Sequence, residues 1–174
     1  MTSALVEGIN IVPAWGEAVE DMDDNQTGDY VCLKGYGKLG VLFVKEAGTG
    51  GDDPTLTVYQ ATDVTNSLSD AKVATVIDTH WIKQAATSLA AVGTFTKTSQ
   101  TLASTIAFNA TSAEQVIVDY FEINAEDLDV TNGFDCVRID VALAASGGAQ
   151  WGTLLYFLLD PRYPQATSLS AIAD

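Results

Sequence analysis

Short apolar runs, each broken by a turn, are the feature that most constrains how this chain folds. The clearest run is 116–123, VIVDYFEI, and similar β-branched and aromatic runs recur between Gly, Asp and Asn residues. Helical periodicity is not sustained over the roughly ten residues of an average helix. We therefore predict an all-β fold, a single β-sandwich or jelly-roll-like domain.

The predicted strands follow these runs. They cover residues 31–33, 41–44, 56–60, 76–83, 93–98, 104–109, 115–123, 134–141 and 153–159. The glycine spacing of 35–40, GYGKLG, predicts a hairpin or bulged connection between the first two strands. Residues 144–150, AASGGAQ, predict a hairpin between the last two, and 124–129 predicts a helical turn that begins at Asn124.

The two ends of the chain differ from the middle in composition. An N-terminal arm is predicted over 1–28, where one apolar stretch precedes a cluster of acids, and the β-sandwich body over 29–160. Two prolines after the last strand forbid a helix, which predicts an extended tail over 161–174. Trp15 and Tyr163 lie outside the predicted strands, and each offers a large apolar side chain for contact with a partner subunit.

The net charge excludes two classes of partner. The 174 residues include 23 Asp and Glu but only 8 Lys and Arg, a net charge of −15. Nucleic acids and anionic membranes are bound through clustered cations, so we expect neither as a partner. The acids concentrate in 17–29, 52–53 and 126–129, which we interpret as solvated loops. We expect no secretory signal after Met1, because no cationic and apolar leader follows it.

No group of residues has the spacing of an active site, so we predict no enzyme activity, no catalytic residues and no cofactor. His80 is the only histidine; Asp78 precedes it on the same predicted strand face, and no nucleophile motif accompanies the two. Glycoside hydrolysis needs only two carboxylates, and four strand acids are its candidates. They are Glu114, Asp119, Glu122 and Asp140.

Metal ligands also fail to cluster along the sequence. Cys32 and Cys136 are far apart, so we predict no zinc site and interpret both as buried free thiols, with a disulfide as the alternative. The run 21–29 begins like a calcium loop. Gln26 then stands where the turn needs glycine, and Cys32 where glutamate is needed. We interpret this run as a solvated acidic loop, with weak calcium binding as the alternative.

Four segments in the last third of the chain carry a family resemblance. They are 119–140 (DYFEINAEDLDVTNGFDCVRID), Leu155-Tyr156, 161–163 (PRY) and 170–174 (SAIAD). Together they resemble small structural proteins of tailed bacteriophages, and most of all head decoration (cement) proteins. The resemblance implies a non-enzymatic protein that stabilises the phage head by binding major capsid subunits.

The resemblance also implies where and how the contacts form. Such proteins bind neighbouring subunits through extended chain ends and through buried interface area. The expected contact residues are Ile9, Ile11, Val12, Trp15, Arg162 and Tyr163. The implied partners are the major capsid protein and further copies of this chain, as a trimer or dimer, on the outer capsid surface after synthesis in the host cytoplasm. The alternatives are a tail-tube or head-completion subunit, and a carbohydrate-binding or carbohydrate-cleaving β-sandwich module.

Overall fold

In the part of the chain that the structure describes, short and long β-strands are joined by loops and two single 3₁₀ turns. The computed structural model describes residues 9–17, 19–22, 24–48, 53–86, 94–108, 115–143 and 150–162. Within these ranges the strands are β1 (Asn10–Pro13), β2 (Glu20–Asp21), β3 (Val31–Cys32), β4 (Tyr36–Lys45), β5 (Pro54–Ala61), β6 (Lys72–Val73), β7 (Ile77–Ala86), β8 (Thr96–Ala103), β9 (Thr105–Ala107), β10 (Val116–Asn124), β11 (Cys136–Leu143) and β12 (Trp151–Pro161). In these residues no helix is long and apolar enough to cross a membrane.

The strands form two antiparallel sheets that pack face to face. The larger sheet has the order β1-β12-β4-β10-β7-β8, and β2 also pairs with β12. The smaller sheet has the order β3-β11-β5-β6, and β9 also pairs with β5. This arrangement confirms the predicted all-β sandwich.

One apolar core fills the space between the sheets. Alternate residues of β5, β10, β11 and β12 point inward, as in the iBiBiBiBi burial pattern of β10. The buried set includes Leu39, Val41, Phe43, Leu56, Val58, Ile117, Phe121, Ile123, Val137, Ile139, Val141, Leu154, Tyr156 and Leu158. Tyr156 ties the sheets together, because its hydroxyl accepts a 2.9 Å hydrogen bond from the Ile139 backbone N–H across the core. Gly28 packs beside this bond, where a Cβ would lie 2.3 Å from the Ile139 carbonyl oxygen.

Two predicted hairpins are wrong, because the strands that they were to join belong to different sheets. β3 pairs with β11 in the smaller sheet, while residues 36–40 of the glycine-rich run are part of β4 in the larger sheet. Gly40 serves packing rather than a turn, since a Cβ there would lie 2.7 Å from the Tyr120 hydroxyl of the neighbouring strand. Likewise β11 and β12 lie in opposite sheets, and residues 144–149 of the run that was to join them lie outside the described residues.

The helical turn predicted over 124–129 is present as a 3₁₀ turn, Ala125–Asp127. Asn124 is the N-cap residue, but its side chain accepts no backbone N–H of the turn; its amide donates to the Asp127 carboxylate at 2.8 Å instead. A second 3₁₀ turn, Val130–Asn132, ends at Gly133, whose φ of 85° is one that glycine adopts without strain.

Residues of the predicted arm 1–28 are part of the sandwich wherever the structure describes them. β1 pairs with β12 from Asn10 to Pro13, and β2 pairs with the start of the same strand. Ala14 and Met22 are fully buried in the core. At the other end, β12 extends to Pro161, and the Arg162 N–H bonds to the Gly35 carbonyl at 3.0 Å. The rest of the predicted tail, 163–174, lies outside the described residues.

Candidate interaction surface

Apolar side chains cover the outer face of the larger sheet as well as its core face. One row of residues in register crosses six strands on this side. The row is Pro13, Leu155, Leu42, Tyr120, Trp81 and Lys97. Five of these six positions are apolar or aromatic, whereas the outer face of a solvated antiparallel sheet is ordinarily polar.

The rows on either side continue this pattern. One contains Ile11, Phe157, Gly40 and Glu122, and the other Thr153, Val44, Val118 and Lys83. We call the aliphatic and aromatic part of these rows the outer apolar face; its members are Ile11, Pro13, Leu42, Val44, Val118, Leu155 and Phe157. All seven are half-buried or exposed strand residues, and Ile11 in the edge strand β1 is 40% exposed.

The sequence of β12 shows how both faces become apolar. In the run 154–159, LLYFLL, Leu154, Tyr156 and Leu158 point into the core. The alternate residues Leu155 and Phe157 therefore point outward, because successive strand residues face opposite sides. An unbroken apolar run is typical of a strand that is covered on both faces. The run 154–159 therefore indicates an apolar outer face as well as a strand.

Charged and aromatic groups border the outer apolar face. The rings of Trp81 and Tyr120 lie 6.2 Å apart, centroid to centroid, and the Lys97 ammonium lies 5.9 Å from the Trp81 ring centroid. The Tyr120 hydroxyl donates to Glu122 at 3.0 Å, and the Lys38 ammonium donates to the other oxygen of Glu122 at 3.2 Å. Burial and the neighbouring Glu122 carboxylate raise the pKa of Tyr120, so this hydroxyl stays a donor at neutral pH.

The contact residues expected from the sequence are distributed over several environments. Ile11 lies on the outer apolar face, whereas Val12 is paired with Tyr156 and packs against the core. Trp15 is only 4% exposed and belongs to the core of its own chain. Ile9 is half-buried, Arg162 is exposed, and Tyr163 lies outside the described residues. Of the six, Ile11 is the one that the structure joins to the larger apolar surface.

His80 and Asp119 form a buried pair inside the sandwich. His80 Nδ1 lies 2.6 Å from Asp119 Oδ1, and the two side chains are 8% and 0% exposed. Burial raises the pKa of Asp119, and the bond and charge of His80 act in the opposite direction. The sequence paired His80 with Asp78, but an irregularity of β7 between Ile77 and Thr79 leaves Asp78 exposed. Such enclosure suits a structural pair better than one that must reach a substrate.

The other carboxylates considered for catalysis have separate partners. Asp140 accepts from Arg138 at 3.1 Å and from the Gly28 N–H at 3.2 Å, while Glu122 binds Lys38 and Tyr120. Burial raises the pKa of Asp140, and Arg138 acts against this rise. Glu114 lies outside the described residues. The described strand acids thus serve local contacts on different strands.

The acidic run 21–29 packs onto the sandwich. The Gln26 N–H donates to the Val141 carbonyl at 2.9 Å and forms a bridge to β11, and Asp21 accepts from the Gln150 N–H at 3.0 Å. Asp23 lies outside the described residues. Asp24 and Asp29 are exposed, as expected of a solvated acidic loop, whereas Asp21 and Gln26 are half-buried and bonded to the sandwich.

The two cysteines, distant in sequence, are direct neighbours. Cys32 of β3 pairs with Cys136 of β11, and both are free thiols. Cys136 is buried as predicted, but Cys32 is half-buried. A hydrogen bond from the Cys136 side chain lowers the pKa of Cys32 to about 7, and the same contact together with burial raises that of Cys136.

No protein-family model and no curated protein sequence matches this chain. Among solved structures, the chain is similar to the SPBc2 prophage-derived protein YomS, with a TM-score of 0.40 and 8% identity over 90% of this chain and 99% of that one. The infectious bursal disease virus Gx strain structure gives a TM-score of 0.25 and 10% identity over 95% of this chain and 44% of that one. Similarities at this level carry no argument about function.

Proposed function

We propose that this chain is a non-enzymatic structural protein of a tailed-phage particle, specifically a head decoration protein that binds major capsid subunits through the outer apolar face. The observation that carries the proposal is the apolar row that runs in register from Pro13 to Trp81 across the larger sheet. The resemblance of residues 119–140 to phage decoration proteins supplies the class of partner.

Burial of apolar area is the physical basis of the proposed contact. Removal of apolar surface from water stabilises an interface by roughly 25 cal/mol per Å², and contiguous apolar patches mark interaction sites. The aromatic pair Trp81 and Tyr120 at the border adds two side chains of the type that contribute most to protein interfaces. The net charge of −15 makes a second function, nucleic-acid binding, unfavourable.

The proposal is tested by changing one exposed member of the face. Ile11→Lys places a charge in the proposed contact without entering the core, since Ile11 is already 40% exposed. We expect at least about tenfold weaker binding to heads of the parent phage, which is about 1.4 kcal/mol. Co-sedimentation of purified chain with heads that lack it measures this change.

The matched control is Leu68→Lys, the same type of change at a loop residue that is 72% exposed and outside the outer apolar face. We expect this variant to bind as the wild type does. Equal binding by both variants, or absence of the chain from purified particles by mass spectrometry, would overturn the proposal.

A further inference from the structure

Cys32 and Cys136 occupy the closest kind of cross-strand position that an antiparallel sheet offers. The adjacent pair, Leu33 and Asp135, is hydrogen-bonded, with a 2.8 Å bond from the Leu33 N–H to the Asp135 carbonyl. Hydrogen-bonded and non-hydrogen-bonded pairs alternate along antiparallel strands, so Cys32 and Cys136 form a non-hydrogen-bonded pair. The Cα atoms of such pairs are about 4.5 Å apart and their side chains lie closer than in the other type.

A carboxylate completes a set of three ligand atoms at this position. The Cys136 thiol donates to Asp135 Oδ1 at 3.3 Å, and the two sulfurs and a carboxylate oxygen all lie within 4.8 Å of one another. Tetrahedral zinc binds sulfur at about 2.3 Å, which places two sulfurs about 3.8 Å apart. Small rotations of the side chains therefore bring the three atoms around one ion.

The surroundings favour an anionic, accessible sulfur. The backbone N–H of Lys34 points to Cys32 Sγ at 3.5 Å, where it stabilises negative charge on the sulfur. A surface cavity of about 210 Å³ lies beside the cluster, and Lys34 and Asp135 both line it. Of the three ligand residues only Asp135 lines this cavity, so the cavity gives an ion and a water molecule access to the cluster from the carboxylate side.

We propose that Cys32, Asp135 and Cys136 form a binding site for a thiophilic divalent cation of the zinc class, with water as the fourth ligand. Two soft sulfur ligands select such a cation over calcium or magnesium, which take oxygen ligands. The bound ion links β3 to β11 at the edge of the smaller sheet. The distance between the cysteines in the sequence concealed this site, because only the strand register brings them together.

The test uses the full chain, reduced and freed of metal with a chelator. Titration with Co²⁺ gives sulfur-to-metal charge-transfer absorption only if thiolates bind the ion, and displacement by Zn²⁺ then gives the zinc affinity. We expect one ion per chain. We also expect Zn²⁺ to protect both thiols from alkylation, which is a readout that needs no variant.

The variants are Cys32→Ser, Cys136→Ser and Asp135→Asn, with Glu17→Gln as the control at an exposed carboxylate outside the cluster. Loss of an outer-shell partner lowers the metal affinity of a site by roughly 10- to 100-fold. We expect the Zn²⁺ affinity of each ligand variant to fall by at least this factor, and the control to bind Zn²⁺ like the wild type. The proposal is overturned if the wild type binds no ion in a 1:1 ratio, if Zn²⁺ leaves both thiols reactive, or if a Cys32–Cys136 disulfide forms in its presence.

Discussion

Removal of His80 leaves the buried carboxylate of Asp119 without its hydrogen-bond partner. We expect this change to lower the stability of the protein. Asp119 is 0% exposed, and Oδ1 lies 2.6 Å from His80 Nδ1. Among the described residues, Asp119 Oδ2 has no hydrogen-bond donor. In His80→Ala the carboxylate loses this partner, while the core around it stays closed to water.

We expect His80→Ala to lower the free energy of unfolding by about 3–5 kcal/mol at pH 7, the usual cost of breaking a buried ion pair on one side. For a chain of this length that corresponds to roughly 6–20 °C in Tm. Replacement of both partners by leucine removes the charge as well as the bond. The double variant His80→Leu/Asp119→Leu should therefore be more stable than His80→Ala.

The loss should depend on pH in a defined direction. Burial raises the pKa of Asp119 above its ordinary value of 3.8. The stability that this group contributes is therefore fully present below about pH 3.8, and it is lost as the pH rises through the folded-state pKa. His80 restrains that rise, and its removal lets the pKa of Asp119 climb further. The difference between wild type and His80→Ala should thus be largest near pH 7 and should shrink as pH falls toward 4.

Urea unfolding followed by tryptophan fluorescence at several pH values measures these differences. Asp78→Ala is the matched control, because Asp78 is the exposed acid that the sequence placed beside His80. It should change stability by less than about 0.5 kcal/mol. A loss below about 1 kcal/mol for His80→Ala, an effect independent of pH, or an equal loss in Asp78→Ala would refute the reasoning.

Three further substitutions probe the core. Tyr156→Phe leaves the Ile139 N–H without its acceptor and should cost about 1–3 kcal/mol in urea unfolding, whereas an unchanged midpoint would mean that another acceptor replaces the hydroxyl. Gly28→Ala places a methyl 2.3 Å from the Ile139 carbonyl and should cost at least about 1–3 kcal/mol by the same assay; a neutral result would show that residues 26–28 shift freely. Trp15→Ala should cost about 3–5 kcal/mol in the isolated chain, and a loss seen only in particle binding would instead assign Trp15 to a subunit contact.

Periodicity predicts individual strands well because the pattern is local. The alternation in 56–60 and the apolar run in 116–123 correspond to β5 and β10. The sheet to which a strand belongs depends on residues that are distant in the sequence, and for this reason both predicted hairpins are wrong. The glycines of 35–40 looked like a turn, but Gly40 makes room for the Tyr120 side chain of a strand that lies far away in the sequence.

Contacts between side chains on neighbouring strands could not be predicted from the sequence for the same reason. Strand pairing places Cys32 directly opposite Cys136, and the pairing of β7 with β10 brings His80 within hydrogen-bond distance of Asp119. No spacing rule along one chain encodes such a contact. By contrast, the run 154–159 does indicate the outer apolar face, because its outward residues are as apolar as its inward ones.

Ionic strength should distinguish the capsid binding that we propose for the outer apolar face from the self-association that the family resemblance implies. Each copy of the chain carries a charge of −15, so two copies repel one another, and salt that screens this repulsion should strengthen self-association. A capsid surface with basic patches attracts the same acids, and salt should weaken that contact. Sedimentation at low and moderate ionic strength, with and without phage heads, measures both directions. Head binding that strengthens with salt would exclude basic patches, and the outer apolar face would then be the dominant source of affinity.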